Sequence, residues 1–477
     1  MDSPSPSDSL PSDNSRSVPL AECYIDRLND DLLHEVIAYT TAEENAEEDI
    51  KQWDYRRGGK TKGIFTRCDH FPEYATLLSR RWNVIAISSP AIWTRIRIDG
   101  KHLPSRLKLW LDRAAQAPLD VRWSYVNAEN YISAADEWEG LRDLEEYTAL
   151  LLSHLDQIAH LSIDFDQTGT RDLPEVLRLT FSAIARSPHL QSLDLHRFIQ
   201  CKFCRQLNLT VDAFPNLRIL TVDDSSIPWK SLKNLKRLEL GWIYSERNMN
   251  DGTEPSWEEL QDLLASSPDL EEISLKHVDD FQGPYSMTSM QLPVFHHLHT
   301  LRFNAAGELC RLLLPSLRAP NLITVTFRFN ATDGPLTTPI CFPNTLRSLK
   351  IASLNHVHDP LVFFLQSGLR HLVSLALERD HDNRGRFTVD LVEATMCCER
   401  LGHLDLWRVD VDGELIEDLA RRRVEQNMPL ESICFRDPVS PVLVNRLVHL
   451  RVKVIQIPME EDMPDRLGYL LSGEGHD

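Results

Sequence analysis

The residues best equipped for chemistry are Cys201 and Cys204, whose C-x-x-C spacing is that of a redox dithiol or of half a zinc site. A closed zinc site needs four ligands, and the next cysteine is Cys310; His189 and His196 are near in sequence but fall on or beside a predicted strand. The pair is read as two small residues in an inter-repeat loop. Cys397-Cys398 closes a predicted helix, and His296-His297-x-His299 leads into a predicted strand, so both are read as packing or surface residues. Gly59-Lys60-Thr61 has the ending of a phosphate-binding loop, but Asp54 stands where the first glycine is required and no strand precedes it. No Gly-x-Ser-x-Gly elbow, His-Glu-x-x-His or dinucleotide fingerprint occurs. No catalytic residue, metal or cofactor is assigned, and the chemistry that remains is binding.

Composition sets the partners. Lys+Arg number 51 against 71 Asp+Glu, a formal net charge of −20, which argues against nucleic acid or an anionic membrane as the main partner. Nine irregularly spaced cysteines form no disulfide framework, and the start MDSPSPSDSLPSDNSRS lacks a basic, apolar leader; cytoplasm or nucleus is expected. No run approaches the ~18 apolar residues that span a bilayer. The glycosylation-like Asn208 and Asn330 are then read as chance.

Residues 1–20, rich in Ser, Pro and Asp, are expected to be a disordered tail. Arg27 to Tyr39 places Leu28, Leu32, Leu33, Val36 and Ile37 at helical spacing, behind capping residues Asn29-Asp30-Asp31. A second helical run, Tyr74 to Ile87, carries Leu77, Leu78, Trp82 and Ile85. Between them, 41–71 reads as a solvated insertion, acidic and then basic. Ile92 to Ile98 alternates as a strand; Leu103 to Ala117 is helical, Leu119 to Trp123 strand-like, and Trp138 to Leu155 a long helix. Residues 101–155 thus form a connecting strand-helix segment.

From Ile158 one pattern, Leu-x-x-Leu-x-Leu, repeats eleven times. Clear copies begin at Leu190, Leu217, Leu235, Leu270, Leu372 and Leu401, and the last at Leu430. Starts are 18 to 35 residues apart, about 27 on average. Ser256-Trp257-Glu258-Glu259 is a capping box, Asp359-Pro360 opens a helix that Gly368 closes, and Ser440-Pro441 opens another. One strand and one helix per copy, none able to bury its face alone, predict an α/β fold: a curved solenoid with a concave parallel sheet and helices outside.

Over 156–460 the array resembles the leucine-rich-repeat family, in degenerate form: the family's asparagine after the strand is matched only by Asn330, with Phe198, Ser225 and Leu354 at equivalent places. Upstream, Arg27-Leu28-Asn29-Asp30-Asp31-Leu32-Leu33-His34-Glu35-Val36-Ile37, then Leu77-Leu78-Ser79-Arg80-Arg81-Trp82 through Ile85-Ala86, then Pro90-Ala91-Ile92-Trp93, resembles the F-box of large fungal families. Asn29 stands in place of the usual proline, and 41–71 interrupts the domain, 21–100. Residues 461–477 are a second tail.

The resemblance implies a substrate-recruiting F-box subunit of a cullin-RING (SCF-type) ubiquitin ligase, not itself an enzyme. Leu28, Asp31, Leu32, Leu33, Val36, Leu77, Leu78, Trp82 and Ile85 would form or support the face that binds a Skp-type adaptor, and the array would bind an unknown protein substrate. The alternative is a repeat scaffold with no ligase link; an enzyme built on Cys201 and Cys204 is a remote third. The x positions of the repeats face the concave surface by strand alternation, and Arg218, Lys236, Arg237, Glu271 and Arg302 form the charge mosaic expected to select a target there.

Overall fold

The computed structural model describes residues 28–37, 71–98, 103–126, 145–166, 175–196, 213–223, 227, 229–241, 257–276, 292–304, 313–328, 342–352, 369–378, 388–407, 409, 412–435 and 439–456. The 201–204 pair, the 41–71 insertion except Phe71, the 59–61 tripeptide and the 359–368 helix all lie outside them.

Alternation of apolar and polar residues makes the strands, and burial of their apolar face brings them together. Fourteen strands form one open, all-parallel sheet in which each pairs with the next in sequence. They are β1 (Arg95–Ile98), β2 (Leu119–Val126), β3 (Ile158–Asp166), β4 (Ser192–His196), β5 (Ile219–Asp223), β6 (Arg237–Gly241) and β7 (Glu272–Lys276). Then come β8 (Thr300–Asn304), β9 (Thr324–Arg328), β10 (Ser348–Ala352), β11 (Ser374–Glu378), β12 (His403–Trp407), β13 (Ser432–Phe435) and β14 (Lys453–Gln456). The arrangement is compatible with a curved solenoid.

Register explains the repeat motif. Leu193, Leu220, Leu238 and Ile273 occupy one row across β4–β7, and Leu195, Val222, Leu240 and Leu275 a second, all buried. Each such side chain contributes about 1.5–3 kcal/mol on burial. In β8 and β9 the second row becomes Phe303 and Phe327, stacked at 5.8 Å between centroids and 5° between planes.

The sheet is longer than the motif. β1 and β2, expected in the early helical domain and the connecting segment, pair in register with each other and with β3, so the sheet begins at Arg95. β14 closes it with only Val454 and Ile455 as apolar content.

The early helices also differ from expectation. The first, α1, spans 30–37, with the Asn29 side chain accepting from the Leu32 amide at 2.8 Å, the capping role read for this turn. The second helical run is two helices, α2 (Phe71–Leu78) and α3 (Arg80–Ser88). Ser79 is extended between them and its hydroxyl accepts from the Trp82 amide, restarting the helix. Pro90–Trp93 is a 3-10 turn rather than a strand, which leaves β1 shorter than the alternation predicts.

Among the described residues, the helices between strands are α4 (Pro104–Ala114), α5 (145–153), α6 (Glu175–Ile184), α7 (Trp257–Ala265), α8 (Val389–Met396), α9 (Gly413–Glu425) and α10 (Pro441–His449). Ser440 caps α10 as its Ser-Pro pair predicts, its hydroxyl accepting from the Leu443 amide. Asn427 and Arg451 end α9 and α10 at positive φ, 60° and 62°, and Met428 and Val452 donate back to Arg423 and Leu447. Those six-to-one bonds satisfy the terminal carbonyls without glycine.

Asn330 and the equivalent places after the strands lie outside the described residues, but asparagines before two strands tie the repeats together. Asn216 Nδ2 donates to the Pro188 carbonyl at 2.7 Å and Asn321 Nδ2 to that of His296 at 2.8 Å, tying each leading turn to the previous repeat. One core of buried side chains runs from Leu33 to Val452, so the helical end and the sheet share an interior.

Candidate interaction surfaces

Two surfaces need building from their residues: the helical end and the open face of the sheet. At the helical end Arg81 makes the connection. Its guanidinium bonds Asp30 at 2.6 Å and donates to the Leu28 carbonyl, holding the start of α1 against α3. Leu77 and Leu78 close α2 just before Arg81, and Leu32 lies one turn along α1. These three leucines are 78%, 60% and 51% exposed, with Val84 and Ile87 of α3 also open. Exposed leucines are unremarkable singly; a group of them on linked helices is the pattern of a covered surface.

The nine residues expected to bind an adaptor are therefore split. Leu32, Leu77 and Leu78 are open, Asp31 is exposed, and Leu28 and Val36 are partly buried against the core. Leu33, Trp82 and Ile85 are buried, which suits the supporting part of the expected role: they hold the helices together behind the exposed leucines. The helical periodicity marked eight of them as apolar but could not say which side of the helical layer each would occupy.

The helical end is locked to the sheet by two aromatic residues. Trp93 is fully buried and donates Nε1–H to the Ala86 carbonyl at 2.7 Å. Its ring meets Trp110 edge-on at 5.7 Å and lies under the Arg113 guanidinium at 4.3 Å. Glu73 of α2 accepts from Arg106 Nε and Trp110 Nε1 of α4, each at 2.7 Å.

The open face has more structure than the motif shows. The first outward residue of each strand, such as Ser192, Arg237 and Thr300, is followed by a second, such as Asp194, Glu239 and Arg302, and a third beyond the motif, such as His196, Lys276 and Arg328. The third row was missed because Leu-x-x-Leu-x-Leu ends one residue too early. Arg218, Lys236 and Glu271 lie on the rim, one residue before their strands.

Close strand spacing pairs the expected charge mosaic within itself. Lys236 Nζ meets Glu271 at 2.8 Å; Arg237 meets Glu239 at 3.3 Å and Glu272 at 3.6 Å; Arg302 also pairs with Glu272. Lys276 bonds Glu239 at 2.5 Å, and the Arg218 guanidinium donates to the Asn234 carbonyl. Burial alone would raise the Glu239 carboxyl, but Lys276 and Arg237 hold it below the usual carboxylate value. Most of the charge mosaic read from the sequence is thus paired within itself, cation to carboxylate within and between neighbouring strands.

A tighter polar site sits on β3–β5. His196 Nε2 is 2.7 Å from Asp194 Oδ1 and its Nδ1 is 3.5 Å from Asp223 Oδ2, while the Ser162 hydroxyl donates to Asp194 at 3.1 Å. Gly241 lies beside Asp223 in the next strand, where a Cβ would stand 2.7 Å from Asp223 Oδ1; glycine there makes room for the carboxylate. Burial works against the imidazolium, but Asp194 and Asp223 prevail and hold its pKa up at about 10. The folded value lies above the ordinary 6.5, so this stabilisation is full below about 6.5 and fades as pH rises toward about 10. Melting temperature followed from pH 6 to 10 should fall through that window in the native chain, and the fall should shrink in His196→Gln.

His189, His296, His297 and His299 are exposed, Cys397 caps the end of α8, and the Cys398 thiol is buried and pushed up to about 12. Among the described residues no group of three His, Cys, Asp or Glu is placed to hold a metal, and no helix is long and apolar enough to cross a membrane. What the fold defines is an α/β repeat architecture with one open parallel sheet face and a helical end carrying exposed leucines. No family model matches the chain, and no curated protein matches it.

Proposed function

We propose that the chain is a substrate-recruiting F-box subunit of an SCF-type ubiquitin ligase, with a degenerate leucine-rich-repeat array that holds the target. It does no bond chemistry itself; it brings a target close to a ubiquitin-transferring assembly. The observation that carries this reading is the exposure of Leu32, Leu77 and Leu78 at the helical end, where Arg81 of α3 holds α1 and Glu73 of α2 bonds α4. An apolar surface on a rigid end suits docking on a Skp-type adaptor, and the open sheet face suits a protein target. Co-expression with the adaptor tests it: the native chain should co-purify, and Leu32→Asp with Leu78→Asp should abolish this while leaving the circular dichroism spectrum unchanged.

The second reading is a repeat scaffold with no ligase link. Burial of Leu33, Ile37, Trp82 and Ile85 in the core shared with the sheet favours it, because a helical cap covering the first strand needs those residues too. Co-purification that ignores both substitutions, or none at all, decides for the scaffold.

A further inference from the structure

Leu32 stands on α1 and Leu77 and Leu78 on α2, far apart in sequence, so no short turn sets the spacing of the two helices. Burial of Leu33 and Ile37 decides which side of α1 faces the core, but apolar contacts carry no direction. Directional contacts come from Arg81, the second residue of α3. Its Nε and Nη2 both meet Asp30 Oδ1, at 2.8 and 2.6 Å, and Nη2 also donates to the Leu28 carbonyl. Leu28 and Asp30 bracket Asn29, whose side chain accepts from the Leu32 amide, so the guanidinium grips the turn that places Leu32. On its other side Arg81 belongs to the first turn of α3, which is tied to the end of α2. Ser79, between the helices, accepts from the Trp82 amide, and Asn83 Nδ2 donates to the Thr76 carbonyl at 2.8 Å.

We infer that Arg81 is the positioning residue of the docking surface, setting where Leu32 of α1 stands relative to Leu77 and Leu78 of α2. The inference rests on the adaptor reading above for what docks, and on the chain alone for the placement. The side chains of Arg81 and Asp30 are 36% and 72% exposed, and an ion pair so open adds little to stability. Its value is orientation: a planar guanidinium accepts few arrangements of its partners, a restriction that a lysine ammonium does not impose. An exposed leucine contributes to docking only where the partner's surface expects it, so an α1 that shifts by a fraction of a turn loses the contact without unfolding. In sequence Arg80-Arg81 has the look of a solvated pair; Arg80 is exposed, whereas Arg81 turns to α1.

Two measurements on the full chain separate placement from stability and from direct contact with the adaptor. Hydrogen exchange is followed in the chain alone for the native protein, Arg81→Gln, Asp30→Asn and Leu78→Asp, and each is then titrated with a Skp-type adaptor. Arg81→Gln should speed exchange across α1 by about fivefold or more, leave β3–β6 as protected as in the native chain, and weaken adaptor binding by about tenfold. Asp30→Asn keeps the Oδ1 that both nitrogens meet, and should stay within about threefold of the native chain in both measurements. Leu78→Asp should abolish binding while exchange stays native, because it removes surface and not placement. A native chain that binds no adaptor overturns the docking reading alone, and exchange across α1 then still shows whether Arg81 holds that helix. Native exchange across α1 in Arg81→Gln, loss of protection along the sheet as well, or a loosened α1 with adaptor binding unchanged overturns the assignment.

Discussion

Replacing Arg423 by alanine should destabilise the C-terminal repeats by about 2–4 kcal/mol, from a lost charge-assisted hydrogen-bond fork and the cavity left by a large buried side chain. Arg423 on α9 is wholly buried. Its Nη1 donates to the carbonyls of Thr395 at 3.0 Å and Cys398 at 3.1 Å, and its Nη2 to that of Leu401 at 2.8 Å. These carbonyls end α8 and form the turn that leads into β12, so a single fork closes one repeat from the helix of the next. Alanine takes the side-chain donor from three buried carbonyls, of which those of Thr395 and Cys398 keep a backbone donor in the amides of Cys398 and Leu401, and leaves a cavity beside Cys398. Burial presses the guanidinium pKa below its usual value, a cost the three carbonyls offset. Lysine cannot reproduce the fork and should recover little. Because repeat arrays lose structure locally, hydrogen exchange is the measure: protection should drop first across α8, β12 and α9, while β3–β6 stay protected. Uniform loss along the chain, or none, would contradict the account.

Trp93→Ala should cost about 3–5 kcal/mol at the other end, the usual range for deleting a large buried aromatic side chain. The substitution also frees the Ala86 carbonyl, the Trp110 ring edge and the Arg113 guanidinium from their partners. Its effect should differ in kind from that of Leu78→Asp. Trp93→Ala should loosen α3 against β1 and expose Trp82 to quenching by iodide, whereas Leu78→Asp should leave quenching as in the native chain and change only what docks. Both are expected to weaken adaptor binding, one through the scaffold and one through the surface. Unchanged quenching in Trp93→Ala would mean that the helical end holds its shape without this contact.

Those two residues also show where sequence is readable. The apolar rows of the sheet follow from the repeated leucines, because period-two alternation leaves one way to bury them. β1 and β2 were read as strands but not as this sheet, since Ile96 and Val121 sit in short runs without the full motif. Arg423 was invisible inside Arg421-Arg422-Arg423, a run that resembles a solvated face. Arg421 and Arg422 do behave that way, pairing with Glu417 and Glu393 on the helix exteriors, and only the helix phase turns the third arginine inward. The exposed leucines were legible as a docking face only through the family resemblance, since periodicity alone does not separate them from buried Leu33 and Trp82, and the cage around His196 joins Asp194 of its own strand to Asp223, which register brings alongside. Sequence carries period well and partnership between distant repeats poorly.

The docking claim is tested most directly by calorimetric titration of the full chain with a Skp-type adaptor, alongside Leu32→Asp with Leu78→Asp. The account predicts one-to-one binding by the native chain and none by the double variant, with the two melting at the same temperature. No heat of binding from the native chain, or undiminished binding by a folded double variant, would contradict it.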